Sequence, residues 1–273
     1  MAGLPEALYL PAGDGAFTPT ALTRGPWNPA HQHAGPPSAL LAHAIETAAG
    51  IEGGQVARIA VDILRPVPLE ATLLATARPL RGGRRVELLE ATLTTEDGTE
   101  CMRARAWRIR TEAVPLPDGA AASDPPPAGP YDLPTAPRPS FWTDDVAYFD
   151  ALEWRFVHGD FELPGPAACW TRLKVPLVAG VPATPLEHLL VMSDAASGIS
   201  AALDWTRYSF ANVDFSVVLE RPPASEWLAM DARTIPGDQG AGVCVGTLSD
   251  ETGRVGVSTQ ALFVASVASD RAG

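Results

Sequence analysis

Lysine is all but missing from this chain. Lys174 stands alone, 20 basic residues face 32 acidic ones, and the net charge is −12. Phosphate backbones demand clustered cation, so nucleic acid is excluded as a general partner, and adhesion to anionic membranes is equally disfavoured. A phosphorylated small molecule held by a few local arginines is still allowed. Cysteine is scarce as well: Cys101, Cys169 and Cys244 lie far apart with no CxxC pair. That argues against a disulfide frame or zinc ribbon and for reduced thiols in a cytoplasmic protein. No apolar run reaches the roughly 18 residues that a membrane helix needs. The opening MAGLPEALYLPAGDG lacks both the basic segment and the apolar core of a secretory leader, so none is expected. There is no GxSxG nucleophile elbow and no Walker A loop, and Gly240-Ala241-Gly242 stands without the rest of a dinucleotide fingerprint.

What is present suits a globular protein. The 273 residues are 46% apolar and 19% charged, enough to fill a core and to make two ordinary domains or one large one. Nine prolines fall between residues 114 and 140, a stretch with almost no periodicity. It reads as a semi-rigid connector.

On either side of the connector the order of elements repeats. Residues Leu8 to Leu22 suggest one or two short strands. A proline-rich loop then leads into a helix from Ser38, with Leu40, Leu41, Ala44, Ile45 and Ala48 on one face and Gly50 as its stop. Four strands are predicted next, over Arg58–Leu64, Ala71–Leu80, Val86–Thr95 and Glu100–Arg110. After the connector come strands at Ala151–Val157 and Ala168–Pro176, a long helix, and four more strands at Val213–Leu219, Trp227–Thr234, Ala241–Leu248 and Val255–Val264. Arg65-Pro66 ends the first strand after one helix and Arg221-Pro222 ends its counterpart. A duplicated α+β unit is implied, and joining the two sheets edge to edge would remove an exposed edge from each.

The second helix, expected over Leu186–Trp205, carries Asp194 among its apolar residues. A carboxylate there is costly to bury unless it is hydrogen-bonded or has a task. Two readings stay open: a break at which Asp194 caps the part beginning at Ala195, or a catalytic carboxylate.

The segment FTPTALTRGPWNPAHQHAGPPSALLAHAIE, with NVDFSVVLERPPASEWLAMDAR and DETGRVGVSTQALFV, resembles the thioesterase-like superfamily of acyl-CoA thioesterase II type. The resemblance implies a double hotdog, two fused helix-wrapped antiparallel sheet units forming one continuous sheet. Residues 1–113 would be the N-terminal hotdog, 114–140 the connector and 141–273 the C-terminal hotdog. It also implies hydrolysis of a fatty or related acyl-CoA without metal or cofactor, with homo-oligomers common in such folds. In that family an Asp, a Thr and a Gln position water. Asp194 and Gln260 match, whereas Asn212 stands where Thr is expected, two residues before Asp214. Ala34 replaces the first Gly of the turn before the first helix. His33 and Gly35 would line the acyl-CoA entrance.

Thioester hydrolysis needs an oriented water and donors for the developing oxyanion, and Asp194, the amides of Asn212 and Gln260, or helix-start N–H groups can supply them. Strand alternation would put Asn212 on one face with Asp214. The plainer readings are a turn residue for Asn212 and an ordinary strand residue for Gln260. The same fold without the family Thr also suits a non-hydrolytic acyl-CoA or acyl-carrier binding protein. A hotdog dehydratase is less favoured, since neither half carries an Asp/His pair at matching positions. His31 and His33 lack a third metal ligand nearby, and Arg81, Arg84 and Arg85 read as a solvated turn before they read as a phosphate site.

Overall fold

The computed structural model describes residues 3–120, 124–144 and 146–267. The first unit contains β1 (Tyr9–Gly13), β2 (Ala16–Pro19), α1 (Gly35–Thr47), β3 (Gly54–Ile63), β4 (Leu73–Arg81), β5 (Val86–Thr95) and β6 (Glu100–Arg110). The second begins with α2 (Tyr148–Ala151), β7 (Leu152–His158), β8 (Ala167–Leu173), α3 (Pro185–Ser193) and α4 (Ala196–Ile199). It ends with β9 (Tyr208–Asn212), β10 (Asp214–Leu219), β11 (Leu228–Pro236), β12 (Ala241–Asp250) and β13 (Gly253–Ser266). No helix of the described residues is long and apolar enough to cross a membrane.

All of these strands join one antiparallel sheet, in the order β1-β2-β4-β5-β6-β3-β10-β13-β12-β11-β8-β7, with β9 on the C-terminal end of β13. The seam between the units is β3 against β10, from Asp214 opposite Asp62 to Val218 opposite Arg58. Each of these two strands would be an open edge in an isolated unit, and pairing them satisfies both ladders. The continuous sheet of a double hotdog is thus formed. The repeat is visible in side chains too. Arg65 Nη1 donates to the Glu100 carbonyl at the start of β6, and Arg221 Nη2 donates to the Gly253 carbonyl at the start of β13.

Helix α1 starts at Gly35, three residues before the expected Ser38. Pro36 and Pro37 occupy its first turn, where a missing N–H leaves nothing unpaired. Its central residues Ala39 to Ala42 are fully buried because it lies on β4, β5 and β6 with α3 along its side. Thr184 and Glu187 cap α3 reciprocally.

The helix expected over Leu186–Trp205 is not continuous. It divides at Asp194 and Ala195, and its second part, α4, ends at Ile199. Asp194 does not cap that part: Ala195 is its N-cap residue. Strand β9 was not expected. Its five residues, YSFAN, are too short and too polar to declare a strand by alternation. Residues 121–123 of the expected connector lie outside the described residues. From Ala128 onward the connector is fastened to the second unit: Trp170 Nε1 donates to the Ala128 carbonyl at 2.6 Å, and the Ala136 N–H donates to the Trp154 carbonyl at 2.7 Å.

At one end of the helix pair, His43 of α1 meets Glu187 of α3, 2.7 Å apart. The hydrogen bond to Glu187 raises the His43 pKa, against burial, which lowers it. The stabilisation is therefore complete below the pKa of the unfolded imidazole and is lost as pH rises through the higher folded value. Thermal melts from about pH 6 to about pH 9, a range spanning the ordinary histidine pKa, should show the wild type losing Tm relative to His43→Gln as pH rises. Parallel pH dependence in the two proteins would contradict the assignment.

Candidate active site

The break after α3 leaves backbone groups without helical partners, and Gln260 of β13 takes them up. Its Nε2 donates to the carbonyls of Ser193 and Asp194, both at 3.1 Å, and its Oε1 accepts the Ser197 N–H at 3.2 Å. Both amide hydrogens are committed, and the side chain is 1% exposed. Gln260 consequently has no donor left for a bound carbonyl. It holds the backbone in the shape that turns Asp194 out of the helix.

Asn212 sits at the end of β9 and donates from Nδ2 to Asp194 Oδ1 at 2.7 Å. The expected shared face with Asp214 is interrupted. Asn212 pairs with Leu262 and Ser216 with Thr259, so four steps on one strand face three on the other and the chain bulges at Val213. Asp214 turns its Oδ1 to the Ala261 N–H, 2.7 Å away.

The other oxygen of Asp194 is engaged from the first unit. His33 Nδ1 lies 2.9 Å from Asp194 Oδ2, and the imidazole stacks flat on Tyr148 of α2, with centroids 3.7 Å apart. The Tyr148 hydroxyl donates to the Val191 carbonyl of α3 at 2.6 Å. Burial, and then the charge of Asp194, push its pKa well up, so the phenol stays neutral. A carboxylate only accepts, so His33 carries its proton on Nδ1, an assignment made from the hydrogen-bond network. In the neutral imidazole this tautomer leaves the lone pair on Nε2, and the Gly35 N–H points at the same Nδ1 from 3.2 Å. That N–H belongs to the first residue of α1, where the helix dipole favours negative charge.

Asp194 is 5% exposed and lies between two partners drawn from different elements. An ion so buried is tolerated only when paired or hydrogen-bonded. Asp194, Asn212, His33 and Gln260 are thus gathered at one place, the first three on the wall of a cavity of about 440 Å³. Gln260 stands behind that wall. Arg65 lines the cavity as well, whereas Gly35, expected at the entrance, is buried behind His33 and Ala34 and is not part of the lining. Arg81, Arg84 and Arg85, at the β4–β5 turn, do not line it. The pairing of His33 with Asp194 crosses the two units, which is why a search within either half misses it. Tyr148 was missed as well, since an aromatic in a short apolar run reads as ordinary core.

Residues 23–109 match the model of the acyl-CoA thioesterase N-terminal domain, and residues 130–264 match that of the acyl-CoA thioesterase C-terminal domain. This chain belongs to the acyl-CoA thioesterase superfamily of double-hotdog proteins. As a member it is an enzyme that hydrolyses an acyl-CoA thioester. Solved structures agree in fold. A candidate thioesterase from Novosphingobium aromaticivorans is 22% identical with a TM-score of 0.69, covering 94% of this chain and 98% of that one. A candidate thioesterase II from Thermobifida fusca is 16% identical with a TM-score of 0.72, covering 95% and 96%. The acyl-CoA thioesterase II TesB2 of Mycobacterium marinum is 16% identical with a TM-score of 0.66, covering 94% of each chain. A comparison with curated proteins gives no match.

Within this thioesterase fold Gly35 is required by space. A Cβ there would lie 2.5 Å from the Val191 carbonyl oxygen and 3.3 Å from His33 Nδ1. Gly35→Ala must push α1 away from α3 and displace His33. The expected cost is about 1–3 kcal/mol, as for other overpacked cores, together with slower turnover. A calorimetric Tm and turnover both equal to wild type would show that the two helices are not held this closely.

Proposed function

We propose that Asp194 and His33 act as one base in the hydrolysis of the acyl-CoA thioester. The observation that carries this reading is the 2.9 Å contact between buried Asp194 and His33 Nδ1 on the wall of the cavity. Water at the cavity wall gives its proton to His33 Nε2, and Asp194 stabilises the imidazolium that forms. The hydroxide oxygen attacks the thioester carbon, and the negative charge that builds on the carbonyl oxygen is favoured by the N-terminal end of the α1 dipole beside the cavity. Collapse expels the CoA thiolate, which takes up the proton. Asn212 fixes one oxygen of Asp194 and has a second amide hydrogen and its own oxygen left to align the water. Gln260 is a positioning residue that acts through the Asp194 backbone.

Among the described residues, Arg65 is the arginine that lines the cavity, where it can meet the phosphates of CoA. The three buried, unpaired cysteines suit a reducing, cytoplasmic setting. Val218, Val243, Val245, Val257 and Phe263 are exposed on one stretch of the sheet. Outward-facing apolar residues of this kind support pairing with a second copy.

Hydrolysis is followed as thiol release from a panel of acyl-CoA esters. Asp194→Asn keeps the shape and removes the charge, and kcat should fall on the order of 10²–10⁴-fold, the range for loss of a positioned base. Unchanged turnover would remove Asp194 from the chemistry. Asn212→Thr restores the residue type expected from the resemblance and should retain activity. Tight binding of CoA esters without thiol release, in wild type and Asn212→Thr alike, would instead favour an acyl-CoA or acyl-carrier binding protein, a reading motivated by the Asn212 departure.

A further inference from the structure

The cavity has two unlike walls. One is polar, formed by His33, Asp194 and Asn212. The other is built of rings: Trp27, Phe141, Trp142, Phe161, Trp205 and Phe210. Trp205 is at its centre, with ring centroids 4.2 Å from Phe210, 4.9 Å from Trp27 and 6.1 Å from Phe141. These side chains come from the loop before α1, the segment just after the connector, the turn between β7 and β8, and the chain from α4 into β9. Aromatic residues make up only 7% of the protein, so their gathering here is not a reflection of composition. Leucine, isoleucine and valine fill the interior elsewhere, but at this cavity they contribute little beyond Ile63 and Leu64. Trp27 is left 58% exposed and Phe141 38% exposed. Large apolar surface facing a cavity is costly in water and is relieved when a ligand covers it.

We propose that the acyl group of the substrate ends in a flat ring, as in an aryl or arylalkanoyl thioester, and stacks on the wall formed by Trp27, Phe141, Trp205 and Phe210. This rests on the thioesterase reading of the site. Rigid rings set at offset and tilted angles reward a planar partner, which adds ring–ring attraction to burial, whereas a straight alkyl chain gains burial alone. The adenine of CoA is the other ring available. It is a whole phosphopantetheine arm away from the sulfur, while the ring wall and the reacting carboxylate share one cavity of about 440 Å³. The phosphates beside adenine also need cation, and among the described residues Arg65 is the arginine of the lining.

The experiment compares kcat/KM for phenylacetyl-CoA and hexanoyl-CoA. It also measures, by tryptophan quenching, the binding of the matching non-hydrolysable thioethers, S-phenethyl-CoA and S-hexyl-CoA. The proposal expects at least tenfold preference for the ring in both. That preference should collapse toward unity in Trp205→Leu and persist in Trp205→Phe. Trp27→Leu, at an exposed position where folding is not at risk, should weaken it as well. Equal treatment of ring and chain would overturn the proposal. So would a loss in the Trp205 variant that is the same for every acyl group and accompanies weaker inhibition by free CoA, because the rings would then hold adenine. Absence of thiol release with ring preference in binding would refute the hydrolytic mechanism and leave this proposal standing.

Discussion

The contact between His33 and Asp194 is the constraint on which the rest of this structure depends. It joins a loop of the first unit to a helix end of the second, and it can form only if the two sheets are fused at β3 and β10 with α1 pressed against α3. The helix break, the bulge at Val213, the absence of a side chain at Gly35 and the stack on Tyr148 each serve that juxtaposition. A buried carboxylate is expensive, and every one of its neighbours reduces the expense: Asn212 on one oxygen, His33 on the other, Gln260 holding the backbone beneath.

Duplication gave the helix pair two ends, and they have taken different courses. At one end His43, Glu187, Thr184 and Glu46 satisfy one another, with Thr184 Oγ1 donating to Glu46 at 2.7 Å. The polar groups there are consumed by the cap of α3 and by the tie between helices. At the other end Pro36 and Pro37 remove two N–H groups from the first turn of α1, and the Gly35 N–H points at His33 Nδ1. The polar side chains at one end thus neutralise one another, whereas at the other His33, Asp194 and Asn212 face a cavity.

The architecture was legible because it is written in local signals. Strands β5 and β6 fall on the expected residues, and the recurrence of Arg-Pro after the first strand of each unit exposes the repeat. Asp194 could be singled out as a polar residue in an apolar setting, and Gln260 by the family resemblance alone. Their division of labour could not. Whether an amide is free or committed depends on which carbonyls a helix break leaves unpaired, and nothing in the spacing of Ser193, Ser197 and Gln260 reveals that. The continuous helix over Leu186–Trp205 was expected because apolar periodicity runs through Asp194; the break comes from tertiary hydrogen bonds made by a strand 66 residues further on. His33 was assigned to the entrance from its place beside Gly35, and its partner lies in the other copy of the unit, beyond the reach of any motif within one half.

The central claim is that His33 and Asp194 work as a single device. The most direct measurement is a double-mutant cycle in kcat/KM with His33→Ala, Asp194→Ala and the combined variant. Residues that act together are strongly non-additive. The account predicts that the double variant hydrolyses acyl-CoA about as slowly as the worse single variant. Losses that multiply in the double variant would show two independent groups and contradict it.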